Sequence, residues 1–237
     1  MKILPIFKTT LAKDMPPGPQ GQPAHKAGSE VVISNEVKTE KLGNFLMITP
    51  NPVCFYLSIA EEEISKFKIF LDEVNLIDKK VAFPKQDGGL DVFRNLQKDE
   101  LYKLFECAIK IPIFLYTALE AFSNQLIPEK YSYEIKRKGK KDRTLNREEI
   151  EQSISLKEKL SEILDRVYNV QLKKDILWQV LGDIKNLRDE LIHLKTRSQS
   201  AVKAYNHIYS KLVETDFDKW LESTIGIIKF YKPEYFE

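Results

Sequence analysis

The order of apolar and polar positions divides the chain into an irregular start and a long helical remainder. Between residues 30 and 58, the short apolar and β-branched runs EVVIS, NFLMIT and VCFYLS are separated by Gly43, Pro50 and Pro52. Runs of this length between turn formers predict strands of a small sheet. From residue 59 the spacing becomes helical. IAEEEISKFKIFLDEV follows Ser58, with Glu61 three positions on, the pairing of a capping box. KKVAFPKQDGGLDVF breaks that pattern with Pro84 and Gly88–Gly89. A long helical run then covers 99–127, and Pro112 predicts a kink in it, because proline lacks an amide donor and crowds the preceding turn.

Asn146 with Glu149, and Ser155 with Glu158, are two further capping signals. They predict a short helix over 147–153 and a longer one over 156–167. Helical spacing continues over 176–195 and through AVKAYNHIYSKLVE and DFDKWLESTIGIIKFY. Residues 14–30, with four of the eleven prolines and three of the nine glycines, predict a loop or arm. The fold class is therefore mainly α, a helical bundle. An irregular segment over 1–58, with room for a few short β-strands, precedes an all-α domain over 59–237.

Composition adds little beyond this frame. The 237 residues are 43% hydrophobic and 30% charged, and 37 basic against 35 acidic residues leave a net charge of +2. Overall charge does not mark a nucleic-acid binder, so any electrostatic reading rests on where the charges lie. Cys54 and Cys107 are too few for a disulfide framework and predict buried thiols in a reducing cytosol. The start has no continuous apolar core of a signal peptide, and IPIFLYTAL is far too short to span a bilayer. The expected location is cytoplasmic, away from membranes.

The chemistry concentrates in NLRDELIHLKT, residues 186–196, where Arg188, Asp189 and His193 interrupt an apolar helical run. Asp189 and His193 are four apart and fall on one face, where a carboxylate can fix the imidazole tautomer and favour its protonated form. Arg188 lies about 140° around the axis from His193. One copy of the helix cannot easily aim both groups at one small atom, whereas two copies facing across a twofold axis can, with the long arginine reaching round. The competing reading of these residues alone is a solvated or paired arginine and aspartate beside a structural histidine.

A second concentration is YSYEIKRKGKKDR, with Lys136, Arg137, Lys138, Lys140, Lys141 and Arg143 close to Tyr131 and Tyr133. Lysine and arginine contact phosphates and tyrosines stack on bases, and Lys195 and Arg197 add further cations after the motif. A solvated loop is the alternative. His25, His193 and His207 are far apart in sequence and have no cysteine nearby, so no metal site is expected.

On RDELIH the chain resembles the HEPN superfamily, all-α domains of many prokaryotic RNase toxins and abortive-infection proteins. The family motif is an arginine, a polar residue, and a histidine four to six positions after the arginine. ALEAFSNQLIP, 118–128, resembles the early family helix that carries an acid and, four positions on, an asparagine, here Glu120 and Asn124. The likeness spans about 99–230 and leaves 1–58 without a counterpart. It implies a homodimer with a shared cleft and metal-independent RNA cleavage without a cofactor. The ribose 2′-hydroxyl would attack the adjacent phosphate, leaving a cyclic phosphate and a free 5′-hydroxyl. His193 would move the proton as base or acid, Arg188 would stabilise the phosphorane, and Asp189 would orient the ring. Glu120 and Asn124 would face the same cleft. The biological role implied is a toxin or antiviral effector, partnered by RNA and by a cognate antitoxin or activating defence protein. Some family members have lost catalysis, so the alternative is a silent nucleotide- or partner-binding module.

Overall fold

The computed structural model describes residues 8–11, 13–17, 24–32, 34–77, 79–84, 90–94, 98–136, 142–193 and 201–236. It is mostly helical, with short antiparallel strand pairs: β1 (Lys8–Thr10) with β2 (Glu30–Val32), then β3 (Ser34–Thr39) with β4 (Gly43–Ile48). The first long helix, α1, runs from Pro52 to Asn75. It starts seven residues earlier than the Ser58 capping signal predicts. Asn51 is the true cap, with extended backbone, and its side chain accepts the Val53 N–H at 3.0 Å. Pro52 takes the first helical position, where its missing N–H is no loss. VCFYLS is therefore helix rather than strand: Val53, Leu57, Ala60, Ile64 and Phe67 are buried at helical spacing.

After β5 (Lys80–Pro84) and β6 (Leu90–Arg94), an antiparallel pair, α2 spans Lys98–Leu126 and continues through Pro112. β7 (Tyr133–Ile135) pairs with β8 (Arg143–Leu145) before α3 (Arg147–Ser153), whose Asn146–Glu149 capping box forms as predicted. These two strand pairs lie within the stretch predicted as wholly helical. Three to five residues of alternation are too short to stand out beside long helical runs. Each of the four pairs forms its own two-stranded sheet.

Ser155 caps the next helix by accepting the Glu158 N–H, also as predicted. That helix is not uniform. α4 (Leu156–Glu158) passes into a π turn over Lys159–Leu164 and then into α5 (Asp165–Tyr168). The Asp165 N–H bonds the Leu160 carbonyl five residues back, so the turn carries one extra residue. α6 (Leu177–Ile192), α7 (Ala201–Glu214) and α8 (Phe217–Tyr231) complete the bundle.

α2 is its axis. α1 packs along it, and α6, α7 and α8 touch it elsewhere. Ile111, Leu115, Ala118, Leu119 and Phe122 are fully inaccessible, because neighbours cover α2 on several sides. The C-terminus is tied back by tyrosines: the Tyr231 hydroxyl lies 3.0 Å from the Leu160 carbonyl, and Tyr235 donates to Gln125 at 2.6 Å. Among the described residues, no helix is long and apolar enough to cross a membrane.

The helix start is testable. Asn51→Ala should destabilise the protein by about 1 kcal/mol, the usual cost of losing an N-cap. Ser58→Ala, inside the helix, should change stability by less than about 0.5 kcal/mol. Urea denaturation of both variants gives the comparison. A larger loss at Ser58 than at Asn51 would return the start to residue 59.

Candidate functional site

Tyr116, Glu120 and Asn124 follow one another at four-residue intervals on α2 and so line one face of it. α6 packs against α2 and brings Arg188 to that face. The Arg188 guanidinium carbon sits 5.0 Å from the centre of the Tyr116 ring, a cation–π contact. Tyr116 is buried, and its hydroxyl is pushed up to about 12, first by burial and then by the Glu120 charge, with Arg188 opposing both. Glu120 and Arg188 therefore act on the same ring from two helices. The Glu120 carboxylate makes no hydrogen bond or ion pair among the described residues.

The expected hydrogen bond between the Asp189 carboxylate and the His193 ring does not form among the described residues. One Asp189 oxygen accepts from Arg188 at 2.9 Å and the other from Lys185. A carboxylate with cations one and four residues before it has stronger partners than a neutral imidazole. His193 has also left the helix. Its backbone N–H closes the last turn on the Asp189 carbonyl at 2.9 Å, while its φ of −112° and ψ of 56° turn the chain away. The imidazole is exposed and unbonded among the described residues, so the 140° offset expected for a continuous helix does not apply to it.

Sequence reasoning missed the cation on the other side of Asn124. Lys159, at the head of the π turn, is 3% exposed, yet it is a lysine. Its ammonium donates to Asn124 Oδ1 at 2.8 Å and to the Glu151 carbonyl, in the last turn of α3, at 2.7 Å. Burial lowers its pKa, and the charges of Glu120 and Glu151 oppose that shift. The signal for it was a lysine set among Leu156, Leu160, Ile163 and Leu164, the buried stripe of its helix. Nearby, Arg147 reaches the Asn124 carbonyl at 3.3 Å, satisfying an acceptor in the last turn of α2.

The basic segment is only partly described. Lys136 is exposed, and Arg143 is paired with Glu149 at 2.6 Å, where it supports the α3 capping box. Arg137, Lys138, Lys140, Lys141, Lys195 and Arg197 lie outside the described residues. Tyr131 and Tyr133 pack against the core, and Tyr133 donates to Glu158 at 3.0 Å, so neither ring stands free as a base platform. Beside them Lys136, Glu158 and Arg166 line an open depression of about 680 Å³. Cys54 and Cys107 are free and buried, and burial pushes both thiols up to about 11. Among the described residues, no three His, Cys, Asp or Glu side chains converge in a way that could hold a metal.

No family model, no curated protein and no solved structure matches this chain.

Asp189 makes the arrangement measurable. Burial pushes its pKa up, but hydrogen bonds from Lys185 and Arg188, and their charges, outweigh this and hold it below its ordinary value of 3.8. A carboxyl lowered on folding stabilises the fold above its unfolded pKa and loses that contribution as pH falls through the folded value. Asp189→Asn should therefore melt below wild type at pH 7, with the gap closing as the pH falls below the ordinary carboxyl value of 3.8 and through the lowered folded one. An equal gap at both ends would mean that the ion pairs contribute no stability.

Proposed function

We propose that this chain is a metal-independent endoribonuclease of HEPN type, working as a homodimer in a toxin–antitoxin or abortive-infection role. The observation that carries the reading is the seam between α2 and α6. There Arg188 lies over the Tyr116 ring, with Glu120 one turn along the same α2 face and Asn124 one turn beyond it, and the exposed His193 follows the last residue of α6. Glu120, Asn124, Arg188 and His193 come from the two sequence stretches that resemble the family.

In this reading His193 carries the proton transfer. Its exposed ring is free to meet a ribose hydroxyl or a leaving oxygen, and histidine titrates in the range such a step needs. Arg188 stabilises the charge that grows on the phosphorane. Asp189 serves Arg188 rather than His193: it fixes the guanidinium over Tyr116 and is in turn held by Lys185. RNA is the substrate, with Lys136 and the cations around it meeting its phosphates. An antitoxin or activating partner restrains or triggers the enzyme.

A second reading has its own support. Arg188 is already engaged by Asp189 and Tyr116, as expected of a catalytically silent module that binds a nucleotide or a partner.

Cleavage of RNA in EDTA separates the two. His193→Ala and Arg188→Ala should each lose activity by at least about a hundredfold, the scale of one general acid–base or oxyanion contact. Arg188→Lys should not restore it, because a point charge does not replace a planar fork. Mixing the two inactive variants under conditions of subunit exchange should recover part of the activity, if one chain's arginine serves the other's histidine. Full activity in His193→Ala would end the nuclease reading.

Reversing the charges of the 136–143 cluster should weaken RNA binding and flatten its dependence on salt. An unchanged salt slope would leave the cluster as a solvated loop.

A further inference from the structure

The buried ammonium of Lys159 fixes something that side-chain positions alone do not. An amide oxygen and nitrogen are nearly indistinguishable in shape, so the direction an asparagine faces must come from its partners. An ammonium has three donors and no acceptor. The Asn124 atom 2.8 Å from Lys159 is therefore the oxygen, and the planar amide turns its nitrogen away from the lysine. The two N–H groups of that nitrogen have no partner among the described residues, and the side chain is half-buried. Lys159 is itself held in place: its second bond runs to the Glu151 carbonyl and its stem is enclosed in the core. The amide cannot turn over without leaving a buried cation short of an acceptor, which is costly.

Position along α2 then says what those donors can reach. At 1.5 Å per residue, Asn124 stands about 12 Å along the axis from Tyr116, the residue beneath Arg188. One phosphate group does not span that separation. We propose that Lys159 is a positioning residue that locks the Asn124 amide as a pair of donors for an acceptor oxygen of the nucleotide next to the one at Arg188. This assignment rests on the ribonuclease reading. It makes the α2–α6 seam at least two nucleotides long, with Arg188 at the reacting phosphate and Asn124 at its neighbour.

The deciding variant is Asn124→Asp in the full chain. A carboxylate accepts from Lys159 as well as the amide oxygen does, and adds an ion pair, so the fold should survive with an unchanged or higher Tm. It has no N–H to offer. Binding to an RNA oligonucleotide 2′-O-methylated throughout, which cannot be cleaved by 2′-hydroxyl attack, should weaken by roughly tenfold or more. On the unmodified RNA, KM should rise more than kcat falls, because the contact is to a non-reacting part of the substrate. Lys159→Met keeps the packing but frees the amide, and should weaken binding in the same direction. Added to Asn124→Asp, it should cost no further RNA affinity.

Asn124→Asp that binds and cleaves like wild type would overturn the assignment and leave Asn124 as a structural anchor for Lys159. An Asn124→Asp protein that unfolds would overturn it too, since the exchange of acceptors is part of the claim. Wild-type protein that cleaves RNA while Asn124→Asp is unaffected refutes this assignment alone. Wild-type protein that neither binds nor cleaves RNA refutes the ribonuclease reading and this assignment together.

Discussion

Leu115, Leu119 and Phe122 have no solvent-accessible surface, and the molecule is organised around keeping them so. A helix covered on one side needs only an apolar stripe. α2 meets α1, α6, α7 and α8, so polar residues on its flanks have to find partners in a neighbour rather than in water. Tyr116, Glu120 and Asn124 are such residues. Arg188 from α6 answers the first, Lys159 from the π turn answers the third, and Glu120, whose charge acts on both Tyr116 and Lys159, makes no hydrogen bond or ion pair among the described residues. The same burial that stabilises α2 thus assembles the polar seam.

That seam runs against the usual economy of a core. A buried lysine loses its hydration, and its two hydrogen bonds and the charges of Glu120 and Glu151 return only part of it. α1 and α2 hold a similar case elsewhere along their contact. Glu63 is buried, and Lys66 at 3.0 Å and Lys110 at 3.5 Å supply the compensating charge. There the lysines sit near the surface and the acid is inside. At the seam the order is inverted, with the cation inside and Glu120 only half-covered.

The caps at Asn146 and Ser155 were legible because each combines an acceptor side chain with a matching residue three positions on. The α1 start was misread for a local reason. Pro50 and Pro52 look alike as breakers, yet proline at the first helical position promotes a helix, and only the fold shows which role each takes. At the site, Arg188 could be singled out from residue type and spacing, whereas Glu120 and Asn124 stood out only through the resemblance to a family helix. The partner of Asp189 could not: Lys185 and His193 both stand four residues from it, and charge decides in favour of the lysine. Lys159 escaped notice because a lysine on a helix is ordinarily solvated, and one extra residue in a turn leaves no mark in the sequence.

The isolated strand pairs have a consequence for the time course of motion. β3 and β4 expose nearly every residue, Leu46 at 77% and Ile48 at 52%, and share no sheet with the other pairs. A two-stranded ribbon without a covered face is marginal in water. Its amide hydrogens are therefore free to trade with solvent through local opening, at little free-energy cost. Those in the middle of α2 wait for the whole bundle to come apart. The chain thus carries two clocks in one molecule, a fast one in the β3–β4 ribbon and a slow one in the core of its bundle.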